Sequence, residues 1–458
     1  MSELRDLARW VVELKREDVP EEIIQSVRDS IFDSTAASIA GSEEMLVKDI
    51  TEKYTKISGR ACDVSIWGQD KKVPLLTGVF LNALSGHMME MDDVHTESKT
   101  HIGTVVIPAA WAVAEYMGAD GEALLMAVLC AYEGMARIGK SFDAASHRNL
   151  GWHATATAGT FGAAIAAGKL LKLDVEQMVS ALGMAGTQSF GRWAFIGDGS
   201  TCKILHPARA AANGVEAALL ASVGMTGPEH ILDARDGGLM SVFSSDPKIG
   251  LVSEGLSKVW EITRVDRKPY PCCRSTHCGI EAASELYRRG LRPEDVDSIT
   301  VETYEIGYKQ CGFSEGSINP STSMEARFST PFTSACSLLY GHIGLDTFSP
   351  EKIACGEVRK LCSKIRVVPS ADYTSAYPLH WGCRMVAVKT NGEQMISEVG
   401  DASGSILNPL TRQQLISKAA GMFRDAEGLR ADRLWEAINS LCAGSEIPCL
   451  FHVINGGN

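Results

Sequence analysis

The chain has 458 residues, which is too long for one compact hydrophobic core, so two domains are the default expectation. Hydrophobic residues make up 45% of the sequence and charged residues 22%, a balance that excludes a largely disordered chain. The 44 basic and 56 acidic residues give a net charge of -12, which argues against non-specific binding to nucleic acid or to an anionic membrane. An anionic ligand would therefore need a local basic pocket.

The cysteine pattern and the apolar runs indicate in which cellular compartment the protein is found. The 13 cysteines are scattered without paired spacing, which is typical of reduced thiols. The sequence begins in an amphipathic helix and shows no signal pattern, and no apolar run reaches the roughly 18 residues that span a bilayer. We therefore expect a cytoplasmic protein that binds neither membrane nor nucleic acid.

The first half of the chain has the apolar spacing of helices. Apolar residues recur at helical intervals over 4–14, and Pro20 opens a second helix that ends at Gly41. A further helix is predicted to start at Pro108, and Asp120 is a predicted N-cap. The other predicted helices of this half cover residues 74–90, 121–139, 153–171, 174–185 and 207–223.

The pattern changes near residue 265. Strands are predicted from alternating apolar residues, and Asn391-Gly392 predicts a hairpin turn. These strands cover 297–304, 364–368, 384–388 and 394–399, with helices over 277–289 and 331–342 between them and over 411–426 and 431–442 after them. The sequence therefore predicts a mainly α protein with an α+β insert. A large all-helical domain combines residues 1–264 and 401–458, and a smaller α+β domain covers 265–400.

A polar segment between two predicted helices is the first candidate site. Within a few residues it carries Glu90, Asp92, Asp93, His95 and His101. Titratable groups concentrated between buried helices indicate a functional site, because perturbed groups gather where chemistry occurs. The alternatives are a solvated surface loop and a metal site, since carboxylate and imidazole groups bind divalent ions. The spacing matches no motif of strict metal geometry, so we expect no metal.

Six sequence blocks share one order with a known family. They are Asp92-Asp93-Val94-His95 with His101-Ile102-Gly103, Tyr132-Glu133 with Arg137-Ile138-Gly139, Gly151-Trp152-His153-Ala154-Thr155-Ala156, Lys203-Ile204-Leu205-His206-Pro207-Ala208-Arg209, Lys268-Pro269-Tyr270-Pro271-Cys272-Cys273 with His277, and Ala326-Arg327-Phe328-Ser329-Thr330-Pro331-Phe332. Over nearly the whole chain they resemble the methylcitrate dehydratase family (MmgE/PrpD), which includes 2-methylcitrate dehydratase, cis-aconitate decarboxylase and iminodisuccinate epimerase. The resemblance implies a homodimer without organic cofactor or metal, which acts on small di- and tricarboxylates.

The resemblance also implies catalytic roles for five residues. Asp93, His101 and His153 match acid/base positions of the family, and Lys203 and Lys268 lie in family blocks. Removing a proton from a carbon beside a carboxylate needs a positioned base and cations where negative charge develops. The two lysines suit the second task, and the histidines suit the first, although a desolvated lysine near another cation could also exchange protons itself.

Four further residues are candidates for substrate binding: Glu90, Arg192, Arg274 and His277. A guanidinium group can hold a carboxylate through two parallel hydrogen bonds, which makes Arg192 a candidate clamp. By the resemblance, Glu90 corresponds to an aspartate of the decarboxylase members, and Val94-His95 stands where they have Thr-Trp. These two differences argue against decarboxylation of cis-aconitate. The leading expectation is a cofactor-independent lyase that dehydrates a 2-hydroxy polycarboxylate, with epimerisation and decarboxylation as alternatives.

Overall fold

Helices form most of the chain in the computed structural model, which describes residues 2–59 and 63–456. The helices before residue 265 are α1 (Glu3–Glu13), α2 (Glu21–Gly41), α3 (Met45–Ile57), α4 (Leu75–Gly86), α5 (Gly103–Met117), α6 (Gly121–Ser141), α7 (Ala144–Asn149), α8 (Ala154–Leu170), α9 (Val175–Thr187), α10 (Leu205–Ser222) and α11 (Leu239–Phe243). Short strand pairs join β1 (Val64–Ser65) to β2 (Lys72–Val73) and β3 (Val94–His95) to β4 (Val265–Asp266). The mainly α fold class is confirmed.

The later part of the chain contains a four-stranded sheet. Its elements are α12 (His277–Arg288), β5 (Val296–Thr303), α13 (Glu305–Cys311), α14 (Glu315–Ile318), α15 (Ser323–Arg327), α16 (Thr330–Tyr340), α17 (Pro350–Ala354), α18 (Gly356–Cys362), β6 (Ile365–Pro369), α19 (Ala371–Ala376), β7 (Cys383–Lys389) and β8 (Gln394–Val399). The strand order is β6-β5-β7-β8, in which β5 and β6 are parallel and the other neighbours are antiparallel. Helices α12 and α16 pack on the sheet and cover its apolar face.

The buried apolar side chains form two clusters. The first combines residues of 4–265 with residues of 415–454, because α20 (Arg412–Met422), α21 (Leu429–Asn439) and α22 (Leu450–Asn455) pack back onto the first helices. The second cluster contains residues of 272–402. These clusters are groups of buried side chains and do not define domains. The division into domains at residues 264 and 400 stays a prediction.

Two predicted helix boundaries near the candidate site were wrong. Helix α5 begins at Gly103, five residues before Pro108, which lies inside the helix. Its first turn is capped from outside, since a side-chain oxygen of Asp93 accepts from the Gly103 N–H at 2.9 Å. Helix α4 ends at Gly86 rather than at residue 90, and Glu90 has a left-handed φ of 54°, which a continuing helix does not allow.

Two other features bear on the sequence predictions. Asp120 caps α6, as predicted, by accepting from the Ala123 N–H at 2.9 Å. Among the described residues, no helix combines the length and the apolarity needed to cross a membrane.

Candidate active site

A cavity lies between the two apolar clusters. One wall belongs to the helical part and the other to the chain from Lys268 onward. The lining residues are Glu90, Val94, Lys99, His101, His153, Trp193, Lys203, Lys268, Cys273, Arg274, Ser275, Gln310, Phe328, Tyr377 and Trp381. This set includes six of the nine residues that the sequence singled out, so the polar segment after α4 does face a cavity.

Two buried lysines converge on Glu90. The Lys203 ammonium group donates to a carboxylate oxygen of Glu90. The Lys268 ammonium group donates to the backbone oxygen of Glu90 at 2.9 Å and lies 3.4 Å from its other carboxylate oxygen. The left-handed backbone of Glu90 allows its carbonyl and its side chain to meet both lysines. The structure therefore brings together two ammonium groups from segments that are far apart in the sequence.

The buried charges stabilise one another. Burial favours the neutral form of Glu90, but Lys203 and Lys268 outweigh it and hold the pKa of this carboxyl below its usual value. Burial also opposes the charge of Lys268, yet Asp92 and Glu90 raise the pKa of this ammonium group. At neutral pH we therefore expect two ammonium groups and two carboxylates in close proximity, with little net charge.

His101 is held by oxygen acceptors on one side of its ring. Its Nδ1 lies 2.7 Å from the backbone oxygen of Asp93 and 3.0 Å from a carboxylate oxygen of Asp92. Since both neighbours are acceptors, Nδ1 carries the hydrogen, and Nε2 is left for a ligand. His101 is therefore suited to give and take a proton at the cavity.

His153 lines the cavity at the start of α8, and His206 lies behind it. The two Nδ1 atoms are 2.8 Å apart, so one ring donates to the other. Burial, with the nearby His206 and Lys203, holds the pKa of His153 well below its usual value. Burial likewise lowers the pKa of His206 to about 4. At neutral pH His153 is therefore an uncharged imidazole, and its Nε2 is available as a base in the tautomer in which its Nδ1 donates to His206.

Three predicted site residues do not line this cavity. Asp93 is buried, where it accepts from the Tyr132 hydroxyl at 2.7 Å and from the start of α5, and burial raises the pKa of this carboxyl to about 6. Arg192 is exposed, and its guanidinium lies 4.4 Å from the Trp152 ring. His277 is buried behind Arg274, with Nδ1 3.1 Å from the guanidinium, and Arg274 itself pairs with Asp266 at 2.8 Å. The catalytic and binding roles of all nine residues stay predictions.

His95, in the same polar segment, also points elsewhere. Its Nε2 lies 3.1 Å from a Glu261 carboxylate oxygen, and Nδ1 lies 2.9 Å from the Ser98 hydroxyl. These contacts hold the short β3–β4 pair together rather than facing the cavity.

Several residues at or near the cavity were not predicted. Asp92 was predicted only as part of the polar segment, and its carboxylate, rather than that of Asp93, contacts His101. His87, which was not predicted, lies with Nδ1 2.7 Å from the same Asp92 oxygen. The Lys99 ammonium group lies 3.9 Å from the Trp381 ring and 4.4 Å from the Tyr377 ring. His206 stands in a family block and could have been found there. The aromatic pair is about 280 residues from Lys99 in sequence, so local pattern gives no signal for it.

The metal alternative can be compared with the geometry. Ligand atoms of His87, Asp92 and His101 lie within 4.8 Å of one another. The two imidazoles approach one Asp92 oxygen at 2.7 and 3.0 Å, which are hydrogen-bond distances, and the Lys268 ammonium group lies 3.8 Å from the other oxygen. A divalent cation would meet this ammonium charge, so the arrangement fits a hydrogen-bonded group better than a metal centre.

Comparison with known proteins gives one family over both parts of the chain. The MmgE/PrpD N-terminal domain matches residues 5–251, and the MmgE/PrpD C-terminal domain matches residues 270–441. The chain is 26% identical to the cis-aconitate decarboxylase-like protein oryM of Aspergillus oryzae over 480 residues, covering 98% of this chain and 97% of that protein. It is 25% identical to cis-aconitate decarboxylase of Aspergillus terreus, covering 98% and 95%. It is 26% identical to cis-aconitate decarboxylase of Homo sapiens, covering 88% and 84%. The chain belongs to the MmgE/PrpD family.

Proposed function

We propose that this protein is a lyase that removes a proton from the carbon beside a carboxylate of a small polycarboxylate. The observation that carries the proposal is the convergence of the Lys203 and Lys268 ammonium groups in a cavity that also contains the His101 and His153 imidazoles. The names of the relatives support the same class, since they describe lyases of a tricarboxylate.

The lysines act where charge develops. Loss of a proton beside a carboxylate places a second negative charge on that group, and two buried ammonium groups stabilise it far more than water does. Each ammonium group has three N–H donors, so Lys203 and Lys268 can hold Glu90 and still donate to the substrate. Glu90 holds both ammonium groups in position.

The imidazoles differ in a way that fits a base and an acid. His153 is buried and neutral, so its Nε2 takes the proton from carbon. His101 is oriented by Asp92 at 3.0 Å, and in its protonated form it gives a proton to the departing hydroxyl group. The net reaction is the loss of water from a 2-hydroxy acid to give an alkene.

Decarboxylation is the second candidate, because the relatives are named for it. Loss of carbon dioxide leaves the same kind of carbanion, which His101 or His153 in its protonated form would then protonate. The Val94 side chain in the cavity wall gives this position an apolar surface, where the sequence departs from the decarboxylase pattern. Dehydration therefore stays the leading proposal.

Incubation of candidate acids in deuterated water separates the reactions. Citrate, 2-methylcitrate, malate and cis-aconitate are followed by proton NMR together with carbon dioxide release. A dehydratase gives an alkene from a hydroxy acid, a decarboxylase gives carbon dioxide from cis-aconitate, and an epimerase gives deuterium exchange alone. If none of these acids reacts or exchanges deuterium, the proposal is wrong.

Substitution of the lysines tests the observation on which the proposal rests, the convergence of two ammonium groups in the cavity. Lys203→Ala and Lys268→Ala are each expected to lower turnover at least about 100-fold, because each removes a charge from the position where the transition state is stabilised. Exposed Lys71→Ala is the matched control and should leave turnover unchanged. Turnover like that of the wild type in both site variants would contradict the assignment.

The two imidazole roles are tested separately. His153→Gln should abolish both deuterium exchange at carbon and alkene formation. His101→Gln should retain exchange and lose alkene formation, because only the leaving group is left without its proton. The reverse pattern would exchange the two roles.

A further inference from the structure

A second cavity adjoins the one described above. Five side chains line both cavities, so we treat the two as neighbouring lobes: Lys99, His153, Trp193, Gln310 and Tyr377. The first lobe contains Glu90, Lys203 and Lys268, and we call it the catalytic lobe. The second contains Arg148, and we call it the Arg148 lobe.

Arg148 stands at the end of α7, and no carboxylate of residues 2–59 or 63–456 pairs with it. Its guanidinium lies 4.4 Å from the Trp193 ring, and the same ring lies 5.2 Å from the His153 ring. One tryptophan therefore separates this guanidinium from the proposed base. The buried Nε of Arg148 has no hydrogen-bond partner among the described residues. Burial lowers the pKa of Arg148, and the groups that oppose this effect are Cys273 and Tyr377 rather than a carboxylate.

The other cations at the cavity differ from Arg148 in this respect. Lys203 and Lys268 pair with Glu90, and Arg274 pairs with Asp266. Lys99 resembles Arg148, because it is held between two aromatic rings and donates to a backbone oxygen, that of Thr96. Lys99 and Arg148 therefore have no carboxylate partner among the described residues. Lys99 lies where the two lobes meet, and Arg148 lies in the Arg148 lobe.

A guanidinium that is partly removed from water and lacks an anion favours an incoming carboxylate. Arginine offers paired N–H donors that match the two oxygens of a carboxylate, and stacking on an aromatic ring fixes the plane of these donors. His153 lines both lobes, so a substrate that reacts beside it can reach Lys203 and Lys268 at one end and Arg148 at the other.

We propose that the Arg148 lobe is a subsite for a carboxylate of the substrate that takes no part in the reaction, bound by Arg148 with Lys99 beside it. The inference rests on the proposed function and narrows its substrate class. The preferred substrate is a tricarboxylate, in which one carboxylate lies at the lysines and another at Arg148.

Binding of unreactive acids tests the subsite without reference to turnover. Isothermal titration calorimetry compares propane-1,2,3-tricarboxylate with glutarate and methylsuccinate, each of which lacks one of its carboxylates. Arg148→Met should weaken binding of the tricarboxylate at least about tenfold, the loss of one charge-assisted hydrogen-bonded contact, while the tighter dicarboxylate changes less than about threefold. Arg148→Lys should retain part of the difference.

Arg412→Met is the matched control, because Arg412 also stacks on a tryptophan, Trp435, but is exposed and outside both lobes. It should bind every acid as the wild type does. A thermal unfolding midpoint close to that of the wild type shows that Arg148→Met is folded. If this variant binds the tricarboxylate as the wild type does, or loses all three acids equally, the subsite is wrong.

The two proposals fail in different ways. If the wild type binds none of the three acids, the proposed function is wrong, and the subsite with it. If the wild type binds the tricarboxylate and Lys203→Ala abolishes this binding, but Arg148→Met does not weaken it, only the subsite is wrong.

Discussion

Asp92 and Asp93 are adjacent in sequence and have opposite environments. Asp92 faces His87, His101 and Lys268, which outweigh the effect of burial and hold the pKa of its carboxyl well below the usual value. Asp93 faces Tyr132 and the start of α5, where burial without a cation raises the pKa of its carboxyl to about 6. Sequence reasoning recognised the acidic pair, but which member faces the cavity depends on how the loop turns after α4.

The raised pKa of Asp93 predicts a pH dependence of stability. An unfolded aspartate has a pKa near 3.8, so between about pH 4 and 6 Asp93 is ionised in the unfolded chain and still protonated in the folded protein. Ionisation stabilises the unfolded chain and therefore lowers the free energy of unfolding. The contribution of Asp93 to folding is thus complete below pH 4 and is lost as the pH rises through 6. The loss is on the order of 3 kcal/mol for a shift of about two pKa units.

Asp93→Asn does not ionise, which makes the effect measurable. Urea unfolding of the wild type and the variant at pH 4, 5, 6 and 7 gives the difference in unfolding free energy at each pH. This difference should move in favour of the variant by about 3 kcal/mol from pH 4 to 7. A difference that does not depend on pH would mean that Asp93 ionises normally in the folded protein.

At the scale of elements, α8 and α10 bring the imidazoles of His153 and His206 together. Helix α8 begins just after His153, and α10 carries His206 in its first turn. The two helices come close at Gly214, where an added Cβ would lie 2.3 Å from the backbone oxygen of Thr160.

Gly214→Ala should therefore separate these helices. We expect about 1–3 kcal/mol of destabilisation, typical of an overpacked core, and a fall in turnover because His153 and His206 move apart. Gly421→Ala is the control, since Gly421 lies in helix α20 with open space around its Cβ position and should gain up to about 1 kcal/mol. Urea unfolding and turnover measure both, and equal effects at the two positions would contradict the close approach.

At the scale of the whole molecule, the last helices support the candidate site. The Lys418 ammonium group of α20 donates to Asp33 of α2 at 2.6 Å and to the backbone oxygen of Met91 at 2.8 Å. The same residue thus connects a late helix, an early helix and the loop that carries Glu90. Sequence periodicity predicted helices at both ends of the chain but gave no sign of this contact.

Lys418→Met should remove this connection and leave Asp33 buried without a cation. The expected cost is about 3–5 kcal/mol of unfolding free energy, and Asp33→Leu in the same chain should restore part of it. Lys48→Met, which breaks an exposed pair with Glu43, should cost less than about 1 kcal/mol. If both lysine variants cost the same in urea unfolding, the buried pair has no special role.

The sequence predicted the elements better than the site. Apolar spacing predicted α1, α2, α6 and the strands β5 to β8, because periodicity depends on residues that are close in the chain. The starting point of α5 was missed because Asp93 caps it across a loop. Lys203 and Lys268 were singled out through the family resemblance, and their convergence on Glu90 depends on contacts over 113 and 178 residues, which no local pattern contains.

The neutral imidazoles of His153 and His206 have a consequence for the proton taken from carbon. Both rings are buried and uncharged before the reaction, so the ring of His153 becomes a cation only when it takes this proton. The hydrogen bond between the two Nδ1 atoms lets His206 share that charge, and a bound polyanion stabilises it. The proton therefore stays close to the carbon that lost it, where the reverse reaction can return it.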